Sequence, residues 1–130
     1  METGRFEFIG DPVAKPRMTQ ADKWKKRPVV EKYWKFKDKI KAQAKAQGFK
    51  LGQAYKVIFY LPMPKSMSMK RKNVINGKPH KIRPDLDNLI KSLNDCMLEE
   101  DGAVFYVTAQ KKWGVGGKII VENLPENLDF

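Results

Sequence analysis

Two stretches of helical periodicity, set among stretches that alternate, constrain this chain more than any other feature. In residues 29–47, Tyr33, Phe36, Ile40 and Ala44 recur at three- and four-residue spacing and make one apolar face. Gly48 then serves as a C-cap. In residues 85–99 the stripe is Leu86, Leu89, Ile90, Leu93 and Met97. Between and around them lie strand-like runs at 5–10, 54–62, 104–113 and 118–121, alternating or rich in β-branched and aromatic residues. The Gly114-Val115-Gly116-Gly117 segment predicts a hairpin joining the last two. The expected order is β-α-β-α-β-β. That is an α+β fold with a small mixed sheet and two main helices.

A chain of 130 residues predicts a single domain over 1–130. Cys96 is the only cysteine, so neither an internal disulfide nor a cysteine-rich zinc site can form. It lies beside the second apolar stripe and is expected to be a small core residue. No apolar run approaches the ~18–20 residues that span a bilayer. The first five residues lack the layout of a secretory signal. A reducing cytoplasm is the expected location.

Charge narrows the partner. Lys and Arg total 26 against 15 Asp and Glu, a formal net charge of +11. A domain this basic stores repulsion that a polyanion relieves. Nucleic acid is the first partner to consider. The distribution is uneven. Between residues 61 and 84 lie Lys65, Lys70, Arg71, Lys72, Lys78, Lys81 and Arg83, with no acid among them. From Asp85 to Asp101 the sign inverts: Asp85, Asp87, Asp95, Glu99, Glu100 and Asp101 appear, with Lys91 the sole base. Residues 62–84 have little periodicity and several Pro, Ser, Asn and Gly, and are read as a long, basic, mobile loop. His80, within it, is expected to touch phosphate or to do nothing. Residues 11–26 read as a second loop. There Lys15-Pro16-Arg17 and Trp24-Lys25-Lys26-Arg27 suit phosphate contact and base stacking, or else Trp24 anchors the loop on the core. The tail, 123–130, is expected to fray.

The segment Arg83-Pro84-Asp85-Leu86-Asp87-Asn88-Leu89-Ile90-Lys91 carries the chemistry. Pro84 disfavours helix before it, so the helix begins near Asp85. Asp87, Lys91 and Asp95 follow at four-residue steps and should share a face away from the core. Two readings stand open. In one, Asp85 caps the helix and Asp87 pairs with Lys91, ordinary helix stabilisers. In the other, carboxylates that would repel phosphate are kept beside a basic arm because a divalent cation bridges them. Hard oxygen ligands favour Mg²⁺, with Mn²⁺ as a substitute, over Zn²⁺. Such a metal activates water and neutralises charge developing on phosphate.

These residues resemble the signature of the RusA family of Holliday junction resolvases, or crossover junction endodeoxyribonucleases. That signature runs Asp-x-Asp-Asn, Lys four residues after the second Asp, and Asp four later. Here it reads Asp85-Leu86-Asp87-Asn88, Lys91 and Asp95. The turn Gly10-Asp11-Pro12-Val13-Ala14-Lys15-Pro16-Arg17 and the Leu61-Pro62-Met63-Pro64-Lys65-Ser66 run with its basic continuation are also similar to the family, so the resemblance covers nearly the whole chain. It implies a homodimeric, magnesium-dependent hydrolase that cuts branched DNA in recombination and repair. The kinship points to a phage-derived protein. Asp85, Asp87 and Asp101 would be its essential carboxylates and Lys91 its essential cation. Asn88 and Asp95 would support them. The downstream pair is Glu100-Asp101 where the family usually has Asp-Asp, and it follows Asp95 more closely. Asp101, Glu100 or Glu99 could therefore complete a metal set with Asp85 and Asp87. Lys15, Arg17, Lys65, Lys70, Arg71, Lys72, Lys81 and Arg83 are the expected DNA contacts. The alternative is a noncatalytic nucleic-acid-binding module, and a third reading is an adaptor for an acidic protein through the Lys-rich first helix.

Overall fold

A computed structural model describes residues 4–17 and 27–125, without the side chain of Asp101. Its elements are β1 (Arg5–Ile9), α1 (Pro28–Gln47), β2 (Ala54–Pro62), α2 (Met69–Ile75), α3 (Leu86–Met97), a 3₁₀ turn (Asp101–Ala103), β3 (Tyr106–Gly114) and β4 (Lys118–Asn123). The expected α+β architecture is what the chain adopts: one mixed sheet under two main helices.

Both ends of α1 follow from its sequence. Pro28 enters the first turn, where its missing N–H is no loss. Gly48 takes the left-handed conformation at φ 66°, which a side chain would resist. Phe49 N–H then bonds Ala44 O at 2.9 Å and Gly48 N–H bonds Lys45 O at 3.2 Å, a Schellman closure. The buried face is Val30, Tyr33, Phe36, Ile40 and Ala44. It meets the inward residues of the sheet, Phe6, Phe8, Tyr55, Val57, Phe59, Ile119 and Val121, and from α3 Leu89, Leu93 and Cys96. Cys96 is a core residue, as its place beside the stripe predicted.

The sheet order is β1-β4-β2-β3. β2 pairs antiparallel with β4 and parallel with β3. The expected hairpin between the last two strands does not form, because β2 lies between them. The alternation of 104–113 and 118–121 is satisfied equally by pairing with a common neighbour. β2 has the strongest claim to the centre, with five of its nine residues buried. The glycine-rich link steps across the end of β2 instead. A Cβ on Gly114 would stand 3.1 Å from the Cβ of Tyr60 and 2.9 Å from Gly116 O, so the crossing needs glycine there.

The segment read as an irregular loop carries a seven-residue helix, α2, capped by Ser68 accepting from Arg71 N–H at 3.2 Å. Its base is stitched to β3. Gly77 N–H donates to Trp113 O at 2.8 Å, Trp113 N–H to Lys78 O at 2.9 Å and His80 N–H to Lys111 O at 3.0 Å. Residues 11–17 are irregular, as expected. The Trp24–Arg27 reading falls mostly outside the described residues. Of the tail, Asn123 and Leu124 are held: Asn123 N–H bonds Gly4 O and Leu124 N–H bonds Ala54 O. Residues 126–130 lie outside the description.

Candidate active site at the start of the third helix

α3 begins where Pro84 predicted. Asp85 is the N-cap in extended conformation, and Asp87 stands in the first turn. The Asp85 main-chain carbonyl accepts the first helical bond, from Leu89 N–H at 3.2 Å. Its side chain makes no cap bond. Both carboxylates are exposed. Among the described residues neither has a hydrogen-bond or ion-pair partner, and Asp87 and Lys91 do not pair. Neither a side-chain cap nor an Asp87–Lys91 pair is therefore made among the described residues, although both acids stand where they suit the helix dipole. The two acids spend no lone pair on the fold, although they repel the phosphates a basic domain attracts.

Three contacts fix the main chain that carries them. Lys111, on β3, reaches under the entry to α3 and donates to Ile82 O and Pro84 O, each at 2.7 Å. On the other side Lys15 N–H contacts Asn88 O at 3.5 Å. Lower on the helix, the Lys15 ammonium bonds Asp95 at 3.2 Å. Lys111 lies outside the motifs read from sequence; its signal is its register, since it shares the inward parity of Val107 and Ala109, where a lysine needs polar partners.

Asp95 does not share the open face of Asp87 and Lys91. A helix turns about 100° per residue, so each four-residue step rolls about 40°. Two steps bring Asp95 round to α1. There the Tyr33 hydroxyl donates to it in a short hydrogen bond, Lys15 bonds it and Lys37 stands at 3.9 Å. Burial pulls its pKa up, but the Tyr33 hydroxyl, Lys15 and Lys37 outweigh burial and hold the carboxyl below its ordinary value. Burial first, then this bond to a carboxylate, raise the Tyr33 phenol. Asp95 is therefore a support that ties α3 to α1 and to the 11–17 loop. The ammonium of Lys15, expected on DNA, is engaged in that support.

The acids downstream lie at the other end of α3. Twelve helical residues span about 18 Å. Glu99 follows the helix beside Lys45 and Lys50. The Asp101–Ala103 turn leads to Phe105, whose N–H bonds Gln53 O at 3.0 Å at the start of β2. The chain thus sets Asp85, Asp87, Asn88 and Lys91 on the first turns of α3, and Glu99 and Glu100 beyond its last turn. Among the described residues no three acidic, histidine or cysteine side chains converge as a metal site. Two exposed carboxylates nonetheless fit Mg²⁺, which commonly takes one or two carboxylates and completes its shell with water and substrate phosphate.

The basic arm projects beside this site. Lys65, Lys70, Arg71, Lys81 and Arg83 are exposed and Lys72 is half-buried. α2 buries none of its residues. Arg17 is exposed, and its carbonyl accepts from Arg27. His80 is not on the surface with these cations. It is 6% exposed, its ring 4.3 Å from that of Trp113. Burial, then the charge of Lys111, lower its pKa. It packs the arm onto β3 and is no phosphate contact.

The family described as Endodeoxyribonuclease RusA matches residues 10–122. The chain belongs to the RusA family. Searches of curated proteins and of solved structures return no match. The RusA match spans the 11–17 loop, the basic arm, the helices and every strand but β1. Among the described residues no helix is long and apolar enough to cross a membrane.

Proposed function

We propose that this RusA-family chain is a magnesium-dependent endodeoxyribonuclease that resolves four-way DNA junctions in recombination and repair, acting as a homodimer. The observation that carries the reading is the pair Asp85 and Asp87: exposed, unpartnered, and held by Lys111 at the foot of a basic arm. They would hold the metal, which supplies charge neutralisation and activation of water. Lys91, exposed one turn beyond Asp87, offsets negative charge developing on the phosphate as water adds and one phosphorus–oxygen ester bond breaks. Asn88 offers an amide to the same face. The arm cations hold the flanking backbone, and phosphate contacts of this kind position DNA without reading its sequence.

A homodimer would place two sites on a junction of matching symmetry. Manganese is expected to substitute for magnesium.

The test is nicking of a labelled four-way junction beside a linear duplex, with and without Mg²⁺, for the protein and for Asp87→Asn. Paired cuts on the junction that need Mg²⁺ are expected. The variant should lose at least a hundredfold in rate while binding junction as tightly or more tightly. Full cutting by Asp87→Asn would remove the metal-ligand role.

A further inference from the structure

A groove of about 520 Å³ opens between the last turns of α1 and α3, at the opposite end of α3 from Asp85 and Asp87. Its floor is Phe49, Leu51, Met97 and Leu98. Phe49 and Leu51 are buried, while Met97 and Leu98 are only half-buried. The Schellman turn at Gly48 makes the floor, because it tucks Phe49 back under the end of α1. The rim is Lys41, Lys45 and Lys50, with Glu99 its one acid. All four are exposed. Among the described residues none of them is ion-paired.

That combination is unlike the arm. A DNA backbone asks for cations and hydrogen-bond donors; it gains nothing from a hydrocarbon floor. Here lysine ammoniums stand around half-buried thioether and aliphatic surface. Lys41 and Lys45 are one helical turn apart, about 5–6 Å between Cβ atoms. Long flexible lysines follow several carboxylates without demanding one geometry. The volume suits one or two large side chains. A ligand that satisfies both parts carries carboxylates and large apolar side chains on one short stretch.

We propose that this groove binds a linear acidic segment of a partner protein, with a phenylalanine or leucine seated on Phe49, Met97 and Leu98 and its carboxylates on Lys41, Lys45 and Lys50. Such a contact tethers the protein to a partner while leaving the arm and the Asp85–Asp87 site free for DNA. It does not depend on the nuclease reading.

The probe is a fluorescein-labelled ten-residue peptide of Asp and Glu carrying two Phe, followed by anisotropy at ~150 mM salt, where exposed charges are already largely screened. The full chain is expected to bind it at micromolar level. The Lys41→Glu, Lys45→Glu double variant should bind at least tenfold more weakly while nicking a junction at the wild-type rate. A peptide with glycine in place of both Phe should also bind at least tenfold more weakly. Methyl resonances of Met97 and Leu98 should shift on titration with the Phe peptide. Absence of binding overturns the proposal. Equal affinity for the glycine peptide overturns it in favour of a plain charge patch. Displacement of the peptide from the groove by linear duplex, or by decanoate with the same lysine dependence, overturns it in favour of nucleic acid or a fatty anion.

Discussion

Lys111 and Asp95 show how single charged residues build a site they do not enter. Lys111 has two short bonds to carbonyls that immediately precede Asp85. Removing it leaves Ile82 O and Pro84 O without that donor and frees the start of α3. Lys111→Met is expected to lower junction cleavage about tenfold or more, with a rise in the Mg²⁺ concentration needed for half-maximal rate, since the carboxylates are no longer held at a fixed spacing. Lys111→Arg, which keeps donors at that place, should recover part of the rate. A loss in the Met variant with an unchanged Mg²⁺ requirement would count against positioning. Asp95 acts through stability. Its folded pKa lies below the ordinary value of 3.8. A depressed carboxylate contributes stability that is fully present above the unfolded pKa and is lost as pH falls through the folded one. Asp95→Ala should therefore cost about 1–3 kcal/mol at pH 7, mostly by leaving the Tyr33 O–H without its acceptor. Urea midpoints should show that difference narrowing below about pH 4, where the wild-type carboxylate protonates.

At the scale of elements, the sheet edge at β1 carries a device no pattern announced. The Gln43 amide donates to Ile9 O at 2.9 Å and its oxygen accepts Ile9 N–H at 2.8 Å. Gln47 does the same with Glu7 at 2.8 and 3.2 Å. Two side chains one helical turn apart thus imitate a neighbouring strand and close an edge that would otherwise recruit another chain. The double change Gln43→Ala, Gln47→Ala should cost about 1–3 kcal/mol and give concentration-dependent association by light scattering. An unaltered monomer–dimer distribution would mean the edge is protected some other way. Both helices, their order with the strands and the start of α3 were legible because each rests on local chemistry: a four-residue apolar stripe, a glycine after it, a proline before it. What was not legible depends on partners distant in sequence. The alternation in β3 and β4 reports which face is buried and not which strand lies alongside. The short α2 has no apolar stripe, because it buries nothing. The Asp85–Asp87 pair could be named from sequence, but its lack of cap bond and ion pair could not. Capping and i, i+4 pairing were equally compatible with the residues, so only the folded chain shows both carboxylates without those contacts.

Across the whole molecule, charge is divided by place more than by amount. Among the described residues, exposed cations gather on three surfaces: the projecting arm, the outer face of α1 and the rim of the groove at its end. The acids of α3 are split between its two ends, with Asp95 neutralised between them. The arm runs directly into the Asp85–Asp87 pair, so the arm should account for most of the phosphate contacts made during cleavage. This separates the arm from a general basic coat by counterion release, because each phosphate neutralised contributes about 0.9 to the slope of log Kobs against log salt. On the noncleaving Asp87→Asn background, replacing Lys70, Arg71 and Lys72 with Gln should lower the junction-binding slope by about 2–3. The same number of replacements on the outer face of α1, at Lys32, Lys35 and Lys39, should change it by less than about 1. Equal losses from the two surfaces would make the +11 a diffuse attraction and would remove the arm from the contact surface. A loss confined to the arm would place DNA against the surface that leads into the two unpartnered carboxylates.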